Sequence, residues 1–310
     1  MEKPQRLHVY TGAVYDSSRW DRFALREGDI VVCTPPKTGT TWTQMLCALV
    51  VHQTPDLPLP LTRLSRWLDR LAQPVEEVAA EFEAQDFRRV IKTHTPLDGL
   101  PYDARVSYVV CGRDPRDAFL SMVDHLANLS DATQAEIAGR LGAAGGATPF
   151  PSDVDAMFAL WLTKPEKPWM QDGFPWGSVF YYMSSFWKFR TLNNIHFQHY
   201  ADLLDDLDGE MRRLSAFLRI PVDEARWPAL VEAARFSRMR AKSGASAPGA
   251  HLGEWRDADA FFRKARLGEW REVLSPGSLA LYDKLSRERL EPQLKLWLEG
   301  GRSACDPKAR

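Results

Sequence analysis

The 310-residue chain has only four cysteines, Cys33, Cys47, Cys111 and Cys305, and they are far apart with no C-x-x-C pair. No group of histidines or cysteines has zinc-ligand spacing, so neither a disulfide framework nor a structural metal is expected. Excess charge is also missing. The 40 Lys and Arg nearly match the 41 Asp and Glu, for a net charge of −1. A global basic field for nucleic acid or an anionic membrane is thereby excluded, and any anion site has to be local. Apolar runs stay far below membrane-spanning length. The first residues, Met1 to Arg6, contain no apolar stretch, so no secretory signal is expected. No internal repeat or long low-complexity linker is present. These absences leave a cytoplasmic protein with reduced, buried cysteines as the expectation.

What is present is a core-forming composition, 45% hydrophobic, enough for one large α/β domain. Strands are expected at 30–34, 89–93, 105–111 and 194–199. Helical periodicity falls at 40–52, 74–85, 115–127, 152–162, 178–192, 208–218 and 223–234. Alternation of this kind implies a mostly parallel central sheet covered by helices on both faces. Ligands in such sheets bind at the carboxyl ends of the strands. Two glycine-rich stretches, 139–152 and 241–260, read as loops, the first either a lid or a plain insertion. The last ten residues read as a frayed tail.

The segment Ile30 to Trp42 carries the strongest chemical signal. A short apolar strand ends at two prolines, and Lys37-Thr38-Gly39-Thr40-Thr41 then opens a helix through Trp42, Met45, Leu46 and Leu49. A helix N-terminus offers free N–H groups and the positive end of its dipole, and the lysine and hydroxyls add donors. The segment is either an anion site or a threonine-rich helix cap. It is not the nucleotide loop G-x-x-x-x-G-K-[ST], because Lys37 precedes the only glycine.

Three further patterns follow. Lys92-Thr93-His94-Thr95-Pro96 brings a histidine to a strand end, either as a general base or as a hydrogen-bonded structural residue. Arg113-Asp-Pro-Arg-Asp-Ala-Phe-Leu-Ser121 places an arginine at a strand-to-helix turn, to read a phosphate or to pair with Asp114 or Asp117. Arg263-Lys264-Ala265-Arg266-Leu267-Gly268 lies beside aromatics, as a phosphate clamp or a solvated basic turn.

Taken together, these patterns resemble the cytosolic-type sulfotransferases over roughly residues 20–290. Lys37 to Trp42 resembles that family's lysine–serine/threonine–glycine–threonine–threonine–tryptophan loop. Lys92-Thr-His94-x-Pro96 resembles its catalytic-histidine strand. Arg113 to Ser121 resembles its 3′-phosphate motif, and Arg263-Lys264-x-x-x-Gly268-x-Trp270 its C-terminal motif. Trp176-Gly-Ser, Tyr200-x-Asp202 and Phe236-x-x-Met239 follow in the family's order.

The resemblance implies a P-loop-like α/β domain at 20–295, with an N-terminal extension at 1–19 and a tail at 296–310. It implies transfer of a sulfuryl group from 3′-phosphoadenosine 5′-phosphosulfate to an acceptor hydroxyl or amine, without metal. On this resemblance His94, Lys37, Lys92 and Ser121 form the catalytic set, with His94 as base and Lys37 stabilising the leaving phosphate. Lys37, Thr38, Gly39, Thr40 and Thr41 hold the phosphosulfate. Arg113, Ser121, Arg263, Lys264 and the backbone of Ala265 hold the 3′-phosphate. Trp42 and Phe236 sandwich the adenine, with Met239 nearby and Tyr200 at its edge.

Two departures stand out. Ala265 replaces the usual glycine, and the family's short dimer motif is not evident after Trp270, where Pro276 and Gly277 read as a chain break. Oligomeric state stays open. Residues 150–200 are dense in aromatics, among them Trp169, Phe174, Trp176, Phe180, Tyr181, Tyr182, Phe186 and Trp187. The stretch from Trp169 to Trp176 reads as one wall of a pocket for a phenolic, sterol-like or lipid-like acceptor. Asp124 and His125 stand as possible pocket borders. The alternatives are a P-loop-type small-molecule kinase and a non-catalytic nucleotide-binding module.

Overall fold

A computed structural model describes residues 2–143, 151–241, 253–257, 260 and 266–309. Arg263, Lys264 and Ala265 lie outside the described residues, as does most of the glycine-rich stretch after Ala143 and of the stretch after Ala241. Strands β1 (Ile30–Cys33), β2 (Val90–Thr93), β3 (Ser107–Gly112) and β4 (Ile195–His199) form one sheet in the order β2-β1-β3-β4. Every pairing is parallel. The expected strands are therefore present within one or two residues at each end.

Parallel neighbours need crossovers, and helices supply them. Helices α1 (Thr40–His52), α2 (Leu61–Leu64) and α3 (Val75–Glu83) separate β1 from β2. Helices α4 (Pro115–Ala127), α5 (Asp131–Ala143), α6 (Val154–Thr163) and α7 (Val179–Trp187) separate β3 from β4. After β4 come α8 (Tyr200–Asp205), α9 (Leu207–Leu218), α10 (Trp227–Ala234) and α11 (Phe236–Ala241).

Both faces of the sheet are buried, as the near-continuous apolar strands require. Alternate residues go to opposite faces. Val31 and Cys33 join Phe82, Phe186 and Trp187 in one core cluster. Ile30 and Val32 join Leu46, Leu49 and Leu230 in the other. Cys33, Cys47 and Cys111 are buried and unbridged.

Several local expectations differ from what folds. Gly139 and Gly142 belong to α5, whose flanking residues outweigh the weak helix propensity of glycine. Pro276 does not break the chain; it occupies the first turn of a helix at Pro276–Arg289, where its missing N–H costs nothing. The stretch after α7 leaves the helix at Lys188 and runs through short turns to β4. The C-terminal residues are anchored rather than frayed. A helix spans Pro292–Gly300, Arg302 N donates to Asp202 Oδ2 at 3.0 Å, and Lys308 Nζ donates to Leu192 O at 2.9 Å.

The starts of β1 and β2 are locked by a fully buried ion pair. Arg89 Nε and Nη2 donate to Asp29 Oδ1 and Oδ2 at 2.8 and 2.6 Å, and both side chains are 0% exposed. Ile30 N donates to Arg89 O at 2.9 Å, which sets the register beside the pair. Removing Asp29 leaves the buried guanidinium with only the exposed Glu83, whose Oε1 accepts from Arg89 Nη1 at 2.6 Å, and the Ala24 carbonyl. Asp29→Ala is therefore expected to lower unfolding free energy by about 3–5 kcal/mol, read by urea denaturation. A loss below about 1 kcal/mol, the scale of an exposed pair, would reject this role.

Candidate active site

Because the four strands run parallel, their carboxyl ends share one edge of the sheet. The turns leaving them carry Lys37, His94, Arg113 and Tyr200 in strand order β1, β2, β3 and β4. Those residues, with Gly39, Thr40, Thr41, Trp42, Lys92, Ser121, Phe236 and Met239, line one cavity of about 1160 Å³. Residues scattered over two hundred positions thus meet at one place.

The loop after β1 is shaped by Gly39. Its φ is 111°, and a Cβ there would lie 3.1 Å from both Cys111 Sγ and Tyr200 Cδ2. Glycine alone meets both conditions. Gly39 caps α1 without a side-chain hydrogen bond, which leaves the first N–H groups of the helix open toward the cavity. Lys37 also adopts a left-handed conformation, φ 69°. Thr40 Oγ1 lies 2.6 Å from Thr34 Oγ1. The hydroxyl of Thr38 turns inward, 2.9 Å from Pro35 O and from Cys111 O, so only its backbone belongs to the loop's open side.

The cationic side chains are strongly perturbed. Burial pulls Lys37 down to about 7, with Arg113 adding to the shift. Burial likewise pulls Lys92 down to about 7, aided by Arg70 and Lys37 and opposed by Asp69 and Glu254. Lys92 Nζ sits 4.6 Å from the centroid of the Trp67 ring. Burial holds His94 and His125 well below the ordinary histidine range, with the nearby lysines acting in the same direction. Both are neutral near pH 7.

The neutral tautomer of His94 follows from its contact. Nδ1 lies 2.7 Å from Thr34 O, and a carbonyl only accepts, so Nδ1 carries the proton. Nε2 then holds a lone pair. The Trp67 ring stands edge-on to the imidazole at 4.7 Å. Next to it, Asp69 accepts from Thr93 Oγ1 and Thr95 Oγ1 at 2.7 and 2.6 Å, bracketing His94. The Trp20 indole donates to the same Asp69 oxygen at 3.1 Å.

Arg113 pairs with neither Asp114 nor Asp117. It donates to Lys37 O at 3.3 Å and to Arg266 O at 3.2 Å, over the Tyr200 ring at 4.5 Å. Its Nε is buried without a hydrogen-bond partner, an open donor at the site. Asp114 caps α4 by accepting from Arg116 N at 2.9 Å. Asp117 accepts from Gly268 N at 2.9 Å and draws that turn onto α4. Trp42 is fixed by its indole, which donates to Ala234 O at 2.8 Å. Its ring meets Phe236 at 6.3 Å and 66°, so the two form a corner rather than a parallel slot.

The aromatic stretch divides. Phe174, Trp176 and Tyr182 line the cavity, whereas Phe180, Phe186 and Trp187 are core. Trp169 stacks on His8 at 4.0 Å, and Tyr181 donates to Asp98 Oδ2 at 2.6 Å. Of the two border candidates His125 lines the cavity, and Lys37 Nζ donates to its Nδ1 at 3.2 Å.

Sequence reasoning missed Trp67, Arg70 and Glu254, and the N-terminal segment Tyr10–Tyr15, all of which line the cavity. Trp67 N-terminal neighbour Arg66 accepts from Lys92 N at 2.9 Å, and Leu68 N donates to Lys92 O at 3.3 Å, so this segment covers the open edge of β2. Only that tertiary pairing brings it to the site; its local sequence has no comparable signal.

The chain is similar to known proteins along nearly its whole length. The family model described as a sulfotransferase domain matches residues 27–293. The glycolipid sulfotransferase of Mycobacterium bovis is 36% identical over 317 residues, covering 96% of each chain. That of Mycobacterium tuberculosis is 36% identical over 319 residues, again covering 96% of each. Human sulfotransferase 2B1 is 22% identical over 275 residues, 86% of this chain and 67% of that protein. Among solved structures, mouse sulfotransferase SULT7A1 complexed with PAP superimposes with a TM-score of 0.66 at 21% identity, covering 93% of this chain and 90% of that one. Retinol dehydratase in complex with retinol and PAP gives 0.68 at 20% identity, covering 89% and 85%. The match across nearly the whole chain sets the kinase and non-catalytic alternatives aside, and the chain belongs to the sulfotransferase domain family.

Proposed function

We propose that the enzyme moves a sulfuryl group from 3′-phosphoadenosine 5′-phosphosulfate to a hydroxyl of a lipid-like acceptor. The observation that carries this reading is the convergence of His94, with Nε2 unprotonated, and of Lys37 and Lys92 on the open N-terminus of α1. The named activity of the mycobacterial relatives supports a lipid-borne acceptor, and so does the Phe174–Trp176 wall.

The donor, when bound, supplies a sulfuryl group on a phosphate leaving group. His94 Nε2 accepts the acceptor's hydroxyl proton as that oxygen bonds to sulfur. The bond from sulfur to the bridging phosphate oxygen breaks, and the nucleotide bisphosphate leaves. Lys37 faces the charge that grows on the leaving oxygen, while Lys92 and the N–H groups of Gly39 to Thr41 face the sulfuryl oxygens. Arg113, with its unfilled Nε, and Ser121 take the 3′-phosphate, joined by Arg263, Lys264 and the backbone of Ala265. Tyr200, Trp42, Phe236 and Met239 enclose the base. The large cavity accommodates donor and acceptor together, which supplies the orientation that in-line transfer needs.

The protein works as a reduced-cysteine, metal-independent enzyme in this reading, in the cytoplasm. His94→Ala is expected to lower transfer to 4-nitrophenol by about 10²–10⁴-fold. The same variant should keep its melting shift with 3′-phosphoadenosine 5′-phosphate. At about a hundred times the dissociation constant that shift corresponds to roughly 2.7 kcal/mol. Turnover in the variant within tenfold of the parent rejects His94 as base; no shift in the parent rejects the donor assignment.

A pH prediction follows from the lysines. In the free protein Lys37 and Lys92 are pulled down to about 7. A bound anion favours their charged forms and raises both, so binding takes up protons. Nucleotide affinity should therefore fall as pH rises from about 7 to 9, where the phosphates, with a second pKa near 6, are already ionised. Titration calorimetry in buffers of different ionisation enthalpy checks this. An affinity independent of pH over that range would show that the lysines are already fully charged in the free protein.

A further inference from the structure

The acceptor side of the cavity is not uniformly apolar. Along with the Phe174–Trp176 stretch, the segment Tyr10–Tyr15 lines the cavity. It is held in place from three directions. Lys167 Nζ donates to Thr11 O, Arg140 Nη1 donates to Ala13 O at 3.0 Å, and Leu71 N donates to Val14 O at 2.9 Å.

Within this segment the Tyr15 hydroxyl donates to Glu166 Oε1 at 3.2 Å. Glu166 lines the cavity, and its second oxygen, Oε2, has no hydrogen-bond partner among the described residues. A Cβ at Gly177 would lie 3.8 Å from Glu166 Oε2 and 3.8 Å from Pro36 Cδ. Glu166 Oε2 and Pro36, the residue before Lys37, therefore both border the space beside Gly177. Tyr15 also bridges Arg70, the neighbour of the Asp69 that brackets His94. The pair therefore lines the same cavity as His94 and Lys37. Burial raises Glu166 to about 7, so the carboxylate lacks the solvation it has in water.

We infer that Glu166 and Tyr15 form a specificity-determining pair that holds a second hydroxyl of the acceptor while the first is presented to His94. The preferred acceptor then carries a polyol headgroup on an apolar body. A monohydroxy phenol or sterol leaves Glu166 Oε2 unpaired in a desolvated site, which is the condition under which such a site discriminates. This inference rests on the transfer reading above and narrows its acceptor.

The test compares n-octyl β-D-glucoside with 4-nitrophenol as acceptors for the parent, Glu166→Gln and Tyr15→Phe. Gln keeps the shape of the side chain and can still accept from Tyr15, so folding is retained; melting curves check this. The ratio of kcat/KM for the glucoside to that for 4-nitrophenol should drop at least tenfold in Glu166→Gln, mainly through KM, and by less in Tyr15→Phe. Equal losses with both acceptors, or an unchanged ratio, overturn the inference. A parent that binds the nucleotide and sulfonates 4-nitrophenol but not the glucoside also overturns it, while leaving the transfer reading intact. A parent with neither nucleotide shift nor transfer overturns both.

Discussion

Positive charge buried at the carboxyl edge of a parallel sheet is the constraint on which the site depends. Lys37, Lys92 and Arg113 converge there beside the N-terminus of α1, whose dipole has the same sign. Burial and mutual repulsion pull both lysines down to about 7, with Asp69 and Glu254 countering part of the effect at Lys92. Such a cluster is unfavourable in the empty protein and favourable once an anion fills it. In the proposed reading, the energy that folding invests in desolvating these groups is returned when the donor binds.

The rest of the molecule holds this cluster in place. The Asp29–Arg89 pair and the apolar alternation of β1 fix the sheet from the far end. Gly39 lets the loop turn tightly enough to lie on Tyr200 and Cys111. Asp69, bonded to Thr93, Thr95 and Trp20, stiffens the strand end that carries His94. The contacts of Gly39 and Asp69 act on or beside residues that line the cavity, whereas the Asp29–Arg89 pair acts from the opposite end of the strands.

In the proposed reading the nucleotide lies against charge, backbone N–H groups and a corner of aromatic rings, and the acceptor against an apolar wall with one carboxylate–phenol pair. The N-terminal segment takes part in the cavity: Tyr10 is fully buried, its hydroxyl donates to Asp98 Oδ1 at 2.7 Å, and Tyr10–Tyr15 belong to the lining. Residues assigned from sequence to an N-terminal extension therefore shape the cavity directly.

The sequence by itself determined the four strands, the turn chemistry after each and the family to which they belong. These are local properties: short continuous apolar runs, a glycine in the turn after β1, and a proline at the first turn of α4. It also located His94, Lys37, Lys92 and Arg113, because each sits within a few residues of a strand end, and Ser121 through the motif that begins at Arg113 and runs into α4. Only the tertiary structure decided which groups face them. Trp67 and Asp69 arrive through edge pairing with β2, Glu254 through an ion pair with Arg70, and Glu166 through the hydroxyl of Tyr15, which donates to it. Such contacts join residues up to 184 positions apart, and no local pattern encodes a partner at that distance. The protonation of His94 belongs to the same class, since it is set by the carbonyl of Thr34 and by burial among cations rather than by its neighbours in the chain.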